Sequence, residues 1–248
     1  MCTVIFIPKA SNQVFASLRD ESPNRPRAIA PDLYGLSAIN YLSPKDALAN
    51  GTWVGINSQR HVIILLNGGF ENHTRKKNYL KSRGLIVTEL LQTAMPVVEW
   101  NLMDMEEIEP FTLIVWSEGH LFQLVWDGEK KHRIRVDENV PHIWSSSTLY
   151  DQKAKAKRDD DFQNWIAMHP PVSKLSILNF FNSFEDKQNG FVIDRNDAMK
   201  TLSYSFIETN DNNATLDYYD FLTFTHHSKS IDFANDSSNC FLNNYKAN

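Results

Sequence analysis

The stretch MCTVIFIPKASNQVFASLRDE, residues 1–21, decides the fold of the chain. Two runs rich in apolar and β-branched residues, Thr3 to Ile7 and Gln13 to Leu18, flank the turn-forming segment Pro8 to Asn12. This pattern predicts a β-hairpin. The second strand ends in the triplet Arg19-Asp20-Glu21, a cation followed by two carboxylates. The hairpin brings these side chains close to the first residues of the chain, where a functional site can form.

Cys2 is a candidate nucleophile because its side chain is small enough for an aminopeptidase to remove Met1. The residue would then carry both a thiol and a free α-amine. An α-amine titrates near ~7.7 and can accept the thiol proton, so one residue supplies both nucleophile and base. The alternative is a small buried cysteine without a chemical role.

Length and charge limit the class of protein. The 248 residues carry a formal net charge of -5, which gives no electrostatic reason to expect a nucleic acid as partner. The basic clusters Arg75-Lys76-Lys77 and Lys153 to Arg158 are short and interrupted, which is typical of a solvated face. The sequence has neither an apolar run long enough to cross a bilayer nor a signal-peptide pattern. We therefore expect a cytoplasmic protein without integral membrane insertion.

Cysteine and histidine usage argues against a metal or a disulfide framework. The chain has two cysteines, Cys2 and Cys240, which suits a reducing compartment. No Cys/His spacing resembles a zinc site, and no glycine-rich phosphate loop is present. We therefore expect no metal and no cofactor.

The rest of the chain alternates strands and helices. Gly51 to Asn57 and His61 to Gly69 predict a second hairpin, whereas Arg27 to Asn50 reads as a loop that, with Phe70 to Lys81, shapes a pocket. The further predicted strands are Phe111 to Trp116, His120 to Trp126, Lys131 to Val136, Thr201 to Glu208 and Thr215 to Phe221. The predicted helices are Ser82 to Thr93, Met103 to Glu107, Asp151 to Met168 and Ser173 to Phe184.

This order predicts an α+β fold in which two antiparallel sheets are covered by helices on their outer faces. Residues 1–227 would form a single domain, and residues 228–248 a loosely held polar C-terminal tail. The sequence does not predict an oligomeric state.

The sequence resembles the NRDE family, also called the transport and Golgi organisation protein 2 family. The matching motifs are Met1-Cys2 with its apolar strand, Arg19-Asp20-Glu21, Arg25-Pro26, Gly51 to Asn57, Leu66-Asn67 and Ser82 to Leu85. The family is similar to N-terminal nucleophile hydrolases of the choloylglycine and penicillin V acylase kind. The resemblance therefore implies their four-layer αββα sandwich.

The resemblance also implies a hydrolase that acts on a linear amide of a small molecule, with Cys2, Arg19, Asp20 and Asn67 as catalytic residues. Cys2 would attack the carbonyl, and Arg19 would lower the pKa of the thiol. Asp20 would orient the α-amine, and Asn67 would donate its side-chain amide to the oxyanion. In the alternative, Arg19 and Asp20 pair with each other or cap a strand end, and Asn67 only ends its strand by a turn. Ser82 and Arg83 are interpreted as helix-start chemistry.

Two positions depart from the family pattern. The family signature begins with Asn where this chain has Leu18. A later Ser-Asn pair of the family is Ser145-Ser146 here, so any oxyanion donor would be a shorter hydroxyl at Ser146.

A non-enzymatic carrier or chaperone of a hydrophobic ligand such as haem is the alternative function, since family members have been linked to haem trafficking. Such a pocket could be lined by Trp53, Trp116, Trp126, Trp144 and Trp165, with a histidine or Cys2 as the haem ligand. A papain-like Cys–His pair is a third reading, with His61, His120 or His226-His227 as the base.

Overall fold

Thirteen β-strands form the framework of the described residues, which are 3–10, 12–35, 39–168 and 171–234 of a computed structural model. In chain order they are β1 (Thr3–Pro8), β2 (Gln13–Glu21), β3 (Ile29–Tyr34), β4 (Tyr41–Lys45), β5 (Val54–Asn57), β6 (Val62–Asn67), β7 (Phe111–Ser117), β8 (His120–Trp126), β9 (Lys131–Val136), β10 (His142–Ser145), β11 (Lys200–Thr209), β12 (Asn213–Asp220) and β13 (Thr225–Asp232). The α-helices of these residues are α1 (Arg83–Leu91), α2 (Pro96–Leu102), α3 (Gln152–Ala167) and α4 (Lys174–Asn182).

The strands pair into two antiparallel sheets. The six-stranded sheet has the order β10-β1-β2-β11-β12-β13, and the seven-stranded sheet has the order β3-β4-β5-β6-β7-β8-β9. The predicted pairings of β1 with β2, β5 with β6, β7 with β8, β8 with β9, and β11 with β12 are confirmed. The predicted helices that correspond to α1, α3 and α4 are confirmed as well.

The two faces of β1 build two different cores, because successive side chains of a strand point to opposite sides. Ile5 packs with Phe162 of α3 and Phe181 of α4 on the outer face of the six-stranded sheet. Phe6 points the other way and stacks on Trp116 of β7, with ring centroids 5.9 Å apart. On its far side the seven-stranded sheet packs against α1 and α2. The predicted four-layer αββα sandwich is therefore confirmed.

The register of β2 fixes where its charged end lies. Thr3 of β1 pairs with Leu18, the residue before Arg19. On the other side of β2, Arg19 pairs with Ser203 and Asp20 with Thr201 of β11, and the register shifts between these two pairs. Arg19 and Asp20 therefore lie at the end of a central strand, beside the start of β1.

Two glycines let α1 approach the segment before β5. A Cβ at Gly51 would lie 2.3 Å from the carbonyl carbon of Gly84, and a Cβ at Gly84 would lie 2.9 Å from the carbonyl oxygen of Thr52. Thr52 N donates to the Gly84 carbonyl at 3.0 Å. The predicted N-cap of α1 is confirmed, since the Ser82 hydroxyl accepts from Gly84 N. Two of the quoted sequence motifs thus meet at the start of α1, where Arg83 lies.

The last strand, β13, joins the edges of the two sheets. It pairs with β12 along its whole length. Lys229 forms an ion pair with Asp32 of β3, the edge strand of the other sheet. Beyond β13, Phe233 N donates to the Asn212 carbonyl and Ala234 N to the Ser58 carbonyl, both at 2.8 Å. The sequence predicts that the polar tail begins at residue 228, whereas regular structure continues to Asp232.

The expected loop from Arg27 to Asn50 is wrong, because it contains β3 and β4. Pro31 and Pro44 suggested irregular structure, but β3 is an edge strand, where a missing N–H is tolerated. Pro44 lies beyond the two residues of β4 that pair with β5, Tyr41 and Leu42.

The helix predicted at Met103 to Glu107 is also wrong. The helix of this region is α2, which begins at Pro96, a residue favoured in the first turn. Glu107 has a positive φ of 55°, which does not fit a right-handed helix. The four-residue strand β10 was not predicted. Among the described residues, no helix combines the length and apolar character that crossing a membrane requires.

Candidate active site

A cleft of about 820 Å³ opens where β2 and β6 end, and Arg19, Asp20 and Asn67 all line it. Further lining residues come from within the segments 46–53 and 72–84 and from the pair Thr148-Leu149. The two segments that were expected to shape a pocket therefore both contribute to it. Cys2 and Met1 lie outside the described residues, and so does Cys240. Three of the four predicted catalytic residues thus share one cleft.

Arg19 is held by a carboxylate that sequence reasoning missed. Its Nη2 donates to Asp46 Oδ2 at 2.8 Å, and its Cζ lies 4.4 Å from the centre of the Trp53 ring. Arg25 reaches the same carboxylate with Nε at 2.8 Å and Nη2 at 3.0 Å. Burial raises the pKa of Asp46, but the hydrogen bonds from Arg25 and Ala49 and the charges of both arginines lower it overall. One carboxylate thus orients two guanidinium groups.

Asp20 is 2% exposed and is held on both carboxylate oxygens. The Tyr150 hydroxyl donates to Oδ2 at 3.1 Å, and the Thr201 hydroxyl donates to Oδ1 at 2.6 Å. Thr201 Oγ1 in turn accepts from Ile193 N at 2.9 Å. Since Arg19 pairs with Asp46, the alternative of an Arg19–Asp20 pair is wrong.

Asn67 is the last residue of β6 and pairs with Phe111 of β7. Its side-chain amide makes no hydrogen bond to any other residue that the structure describes, and it borders the cleft. After it, Gly68 has a φ of 86° and its amide donates to the Pro110 carbonyl at 3.1 Å. The strand and the turn therefore fix the backbone of Asn67, while its side-chain amide stays available to a ligand.

A second charged network lines the cleft around Glu109. Arg83 Nη2 lies 3.2 Å from Glu109 Oε2, and Arg83 Nη1 donates to the Pro110 carbonyl at 3.3 Å. Burial lowers the pKa of Arg83, and the charge of Glu109 opposes this effect. His73 Nε2 and Arg75 Nε lie 3.5 and 3.7 Å from Glu109 Oε1. Arg83 thus begins α1, as its sequence context indicated, and also lines the cleft.

Arg158 of α3 anchors the start of β1. Its side chain is 1% exposed, Nη2 donates to the Thr3 hydroxyl, and Nε donates to Ser145 Oγ at 2.8 Å. Its guanidinium carbon lies 4.1 Å from the ring centre of Tyr150 and 4.3 Å from that of Phe191. The interpretation of Lys153 to Arg158 as a solvated face is therefore wrong for Arg158. No local signal marks it, because it continues a polar helical run.

The model of the family Transport and Golgi organisation 2 matches residues 1–223. The chain belongs to this family. No curated protein shows significant sequence similarity to it.

Several solved structures share the fold. The Caenorhabditis elegans ortholog of N-acylethanolamine-hydrolyzing acid amidase has a TM-score of 0.58 at 11% identity, covering 83% of this chain and 92% of that protein. An arginine-to-leucine variant of conjugated bile acid hydrolase from Clostridium perfringens has a TM-score of 0.54 at 10% identity, covering 94% and 97%. A cysteine-to-alanine mutant of the same hydrolase has a TM-score of 0.51 at 10% identity, again covering 94% and 97%. The Transport and Golgi organisation 2 chain therefore has an N-terminal nucleophile hydrolase fold.

The two departures from the family pattern have structural explanations. Leu18 is fully buried in the core between the six-stranded sheet and α3 and α4. Ser146 donates its hydroxyl to the Asn67 carbonyl at 2.8 Å. The hydroxyl of Ser146 therefore holds the backbone of Asn67, and it also lies 2.9 Å from Thr148 Oγ1. Ser146 also lines a second cavity, of about 370 Å³, which shares Asn67 with the cleft.

Proposed function

We propose that the protein is an N-terminal-cysteine hydrolase that cleaves a linear amide after Met1 has been removed. The observation that carries the proposal is the single cleft lined by Arg19, Asp20 and Asn67. Cys2 is one peptide bond from Thr3, so its Cα is about 3.8 Å from that of Thr3. Thr3 pairs with Leu18, and Arg19 follows Leu18 in β2. The N-terminal nucleophile hydrolase fold supports the same site.

In the proposed reaction, the Cys2 thiol attacks the carbonyl carbon of the amide. The α-amine of Cys2 takes the thiol proton and passes it to the departing nitrogen, so that the C–N bond breaks and a thioester remains. Water then attacks the thioester with the α-amine as general base. The products are a carboxylic acid, a free amine and the regenerated thiol.

Three side chains would assist this chemistry. The Arg19 guanidinium would favour the thiolate, and Asp46 fixes its orientation. Asp20, held by Tyr150 and Thr201, would accept a hydrogen bond from the α-amine. The amide of Asn67 would stabilise the oxyanion by about 3 kcal/mol.

Two measurements test the proposal. Intact mass spectrometry of the purified protein should show that Met1 is absent. An acylating β-lactone probe should label the wild-type protein and the Cys240→Ala variant equally, and should not label the Cys2→Ala variant. The Cys240→Ala variant is the matched control, because these are the two cysteines of the chain. Retention of Met1 in a protein that still reacts would exclude the α-amine as base.

The alternative carrier of a hydrophobic ligand such as haem has less support from the cleft. Of the residues that line it, the apolar ones are Leu48, Ala49, Trp53, Leu65, Leu149 and Met199. Most of the others are polar or charged. Of the five tryptophans expected to line a pocket for a hydrophobic ligand, Trp53 lines the cleft and Trp144 lines the smaller cavity. A saturable absorption shift on haem titration, with Cys2 unreactive, would favour the carrier over the hydrolase.

A further inference from the structure

The composition of the cleft wall identifies a class of substrate. The wall has six lysines and arginines, namely Arg19, Arg25, Arg75, Lys77, Lys81 and Arg83. It has four carboxylates, namely Asp20, Glu21, Asp46 and Glu109. The chain as a whole has the opposite excess, with 25 basic and 30 acidic residues. The cleft is thus a positively charged region on a negatively charged protein.

The carboxylates of the wall are already engaged. Asp46 binds Arg19 and Arg25, and Glu109 binds Arg83. Glu21 Oε2 lies 3.8 Å from Arg25 Nε. Asp20 accepts from the hydroxyls of Tyr150 and Thr201. Lys81 is paired with Glu89 of α1, a carboxylate outside the wall, which reduces the excess of positive charge from two to one. The cations in the interior of the wall are therefore paired with carboxylates, and the excess positive charge lies on the exposed cations.

Arg75 and Lys77 carry that excess. The Arg75 side chain is 76% exposed, and its Nε lies 3.7 Å from Glu109, which Arg83 approaches more closely. Lys77 is exposed and forms no ion pair with another residue that the structure describes. Both residues line the cleft, whereas Lys76 between them does not. Two cations that are separated by one residue in the chain thus line the cleft with most of their hydrogen-bond donors available.

We infer that the substrate amide carries an anionic group, a carboxylate or a phosphate, which binds at Arg75 and Lys77. The inference rests on the proposed function and names the substrate class of the same site. An arginine fork and a lysine ammonium both suit these anions. Because the two cations stay hydrated without ligand, they attract an anion without a large desolvation cost and steer it into the cleft. A mostly polar wall also suits a compact polar substrate better than a long acyl chain.

Equilibrium binding tests the inference separately from catalysis. The protein is the Cys2→Ala variant of the full chain, which cannot form a thioester. The ligands are three dansyl-labelled amides of equal length that end in a carboxylate, a phosphate monoester or a neutral carboxamide. Fluorescence anisotropy at low salt should show at least one anionic probe binding about fivefold tighter than the carboxamide, which corresponds to two exposed charge pairs. Raising the salt concentration should reduce this preference.

Substitutions then locate the anion site. When Arg75→Gln and Lys77→Gln are added together to the Cys2→Ala variant, the ratio of its affinities for the anionic and the neutral probe should fall close to one. Lys76→Gln, which removes a charge from the same segment, and Lys153→Gln on α3 should keep the preference. Equal affinity for all three probes, or an undiminished preference in the double variant, would overturn the inference. Thermal denaturation of each variant shows that it is folded.

The outcomes separate this inference from the proposed function. If Cys2 reacts with the β-lactone probe but the protein shows no charge preference, only the anionic substrate class is wrong. If the charge preference is present and Cys2 is unreactive, the anion site stands and the hydrolase is wrong. Whether the carboxylate or the phosphate probe binds more tightly identifies the anion.

Discussion

The guanidinium of Arg158 donates a hydrogen bond to the hydroxyl of Thr3, the first described residue of β1. The same guanidinium stacks on Tyr150, whose hydroxyl donates to Asp20. One buried side chain of the outer helix layer therefore contacts both the start of β1 and the residue that holds a proposed catalytic carboxylate. Arg158 is in this sense a positioning residue.

Replacement of Arg158 by lysine should both destabilise the protein and slow acylation of Cys2. The charge is kept, but the fork that bonds Thr3, Ser145 and two backbone carbonyls is lost. Urea unfolding should show a loss of about 3 kcal/mol. The control is Lys157→Ala, which removes an exposed ion pair with Asp161 and should cost less than about 1 kcal/mol. A folded Arg158→Lys variant with an unchanged labelling rate would contradict the positioning role.

Asp46→Asn should reduce stability in a pH-dependent way. Since the pKa of Asp46 is lowered in the folded state, its charge stabilises the protein above the ordinary value of 3.8 and loses this effect as the pH falls through the folded pKa. The variant should be about 3 kcal/mol less stable at neutral pH, because two arginines lose their carboxylate. Unfolding in guanidinium chloride between pH 7 and pH 2 measures the difference in unfolding free energy between the two proteins. This difference should shrink below pH 3.8. A difference that stays constant with pH would show that the carboxylate charge is not the cause.

Asn67→Ala should impair chemistry much more than folding. Its side-chain amide has no partner among the described residues, so thermal denaturation should change little, whereas the rate of Cys2 acylation should fall about 100-fold or more. Asn101→Ala on α2 is the matched control, since that exposed amide lies outside the cleft. An equal fall in both variants, or none in either, would remove Asn67 from the proposed mechanism.

Gly51→Ala should disrupt the start of α1. Its new Cβ would meet the backbone of Gly84 at 2.3 Å, and backbone cannot move aside as a side chain can. We expect a loss of more than about 2 kcal/mol in unfolding free energy. Gly119→Ala is the comparison, because its φ of 78° is strained for alanine but nothing lies within 4 Å of the new Cβ. That variant should lose only about 1 kcal/mol.

The predicted sheet pairings are mostly correct because they join strands that are consecutive in the chain and are connected by short turns. The hairpin of β1 and β2 follows from alternating apolar residues around one turn, and the N-cap of α1 follows from Ser82. The position of Arg19, Asp20 and Asn67 on one cleft was also expected, while their catalytic roles remain predictions. Removal of Met1, a cytoplasmic location and the absence of a cofactor remain predictions as well.

The missed features depend on partners that are distant in the chain. Asp46 lies in a segment that was expected to be a loop because it contains two prolines, and no spacing in the sequence connects Asp46 to Arg19. Arg158 reads as part of a charged helix face until folding places Thr3, Tyr150 and Phe191 around it. Edge strands such as β3 and β13 are missed because solvent-facing strands need few apolar residues.

The contacts of β13 have a consequence for where the molecule can be shortened. The family match ends at residue 223, before Thr225 begins this strand. A truncation at the family boundary would leave β12 with unpaired N–H and C=O groups along one side and would remove Lys229 from Asp32. Exposed strand edges recruit other chains, so such a fragment should self-associate. The family match thus ends one strand before the six-stranded sheet is complete.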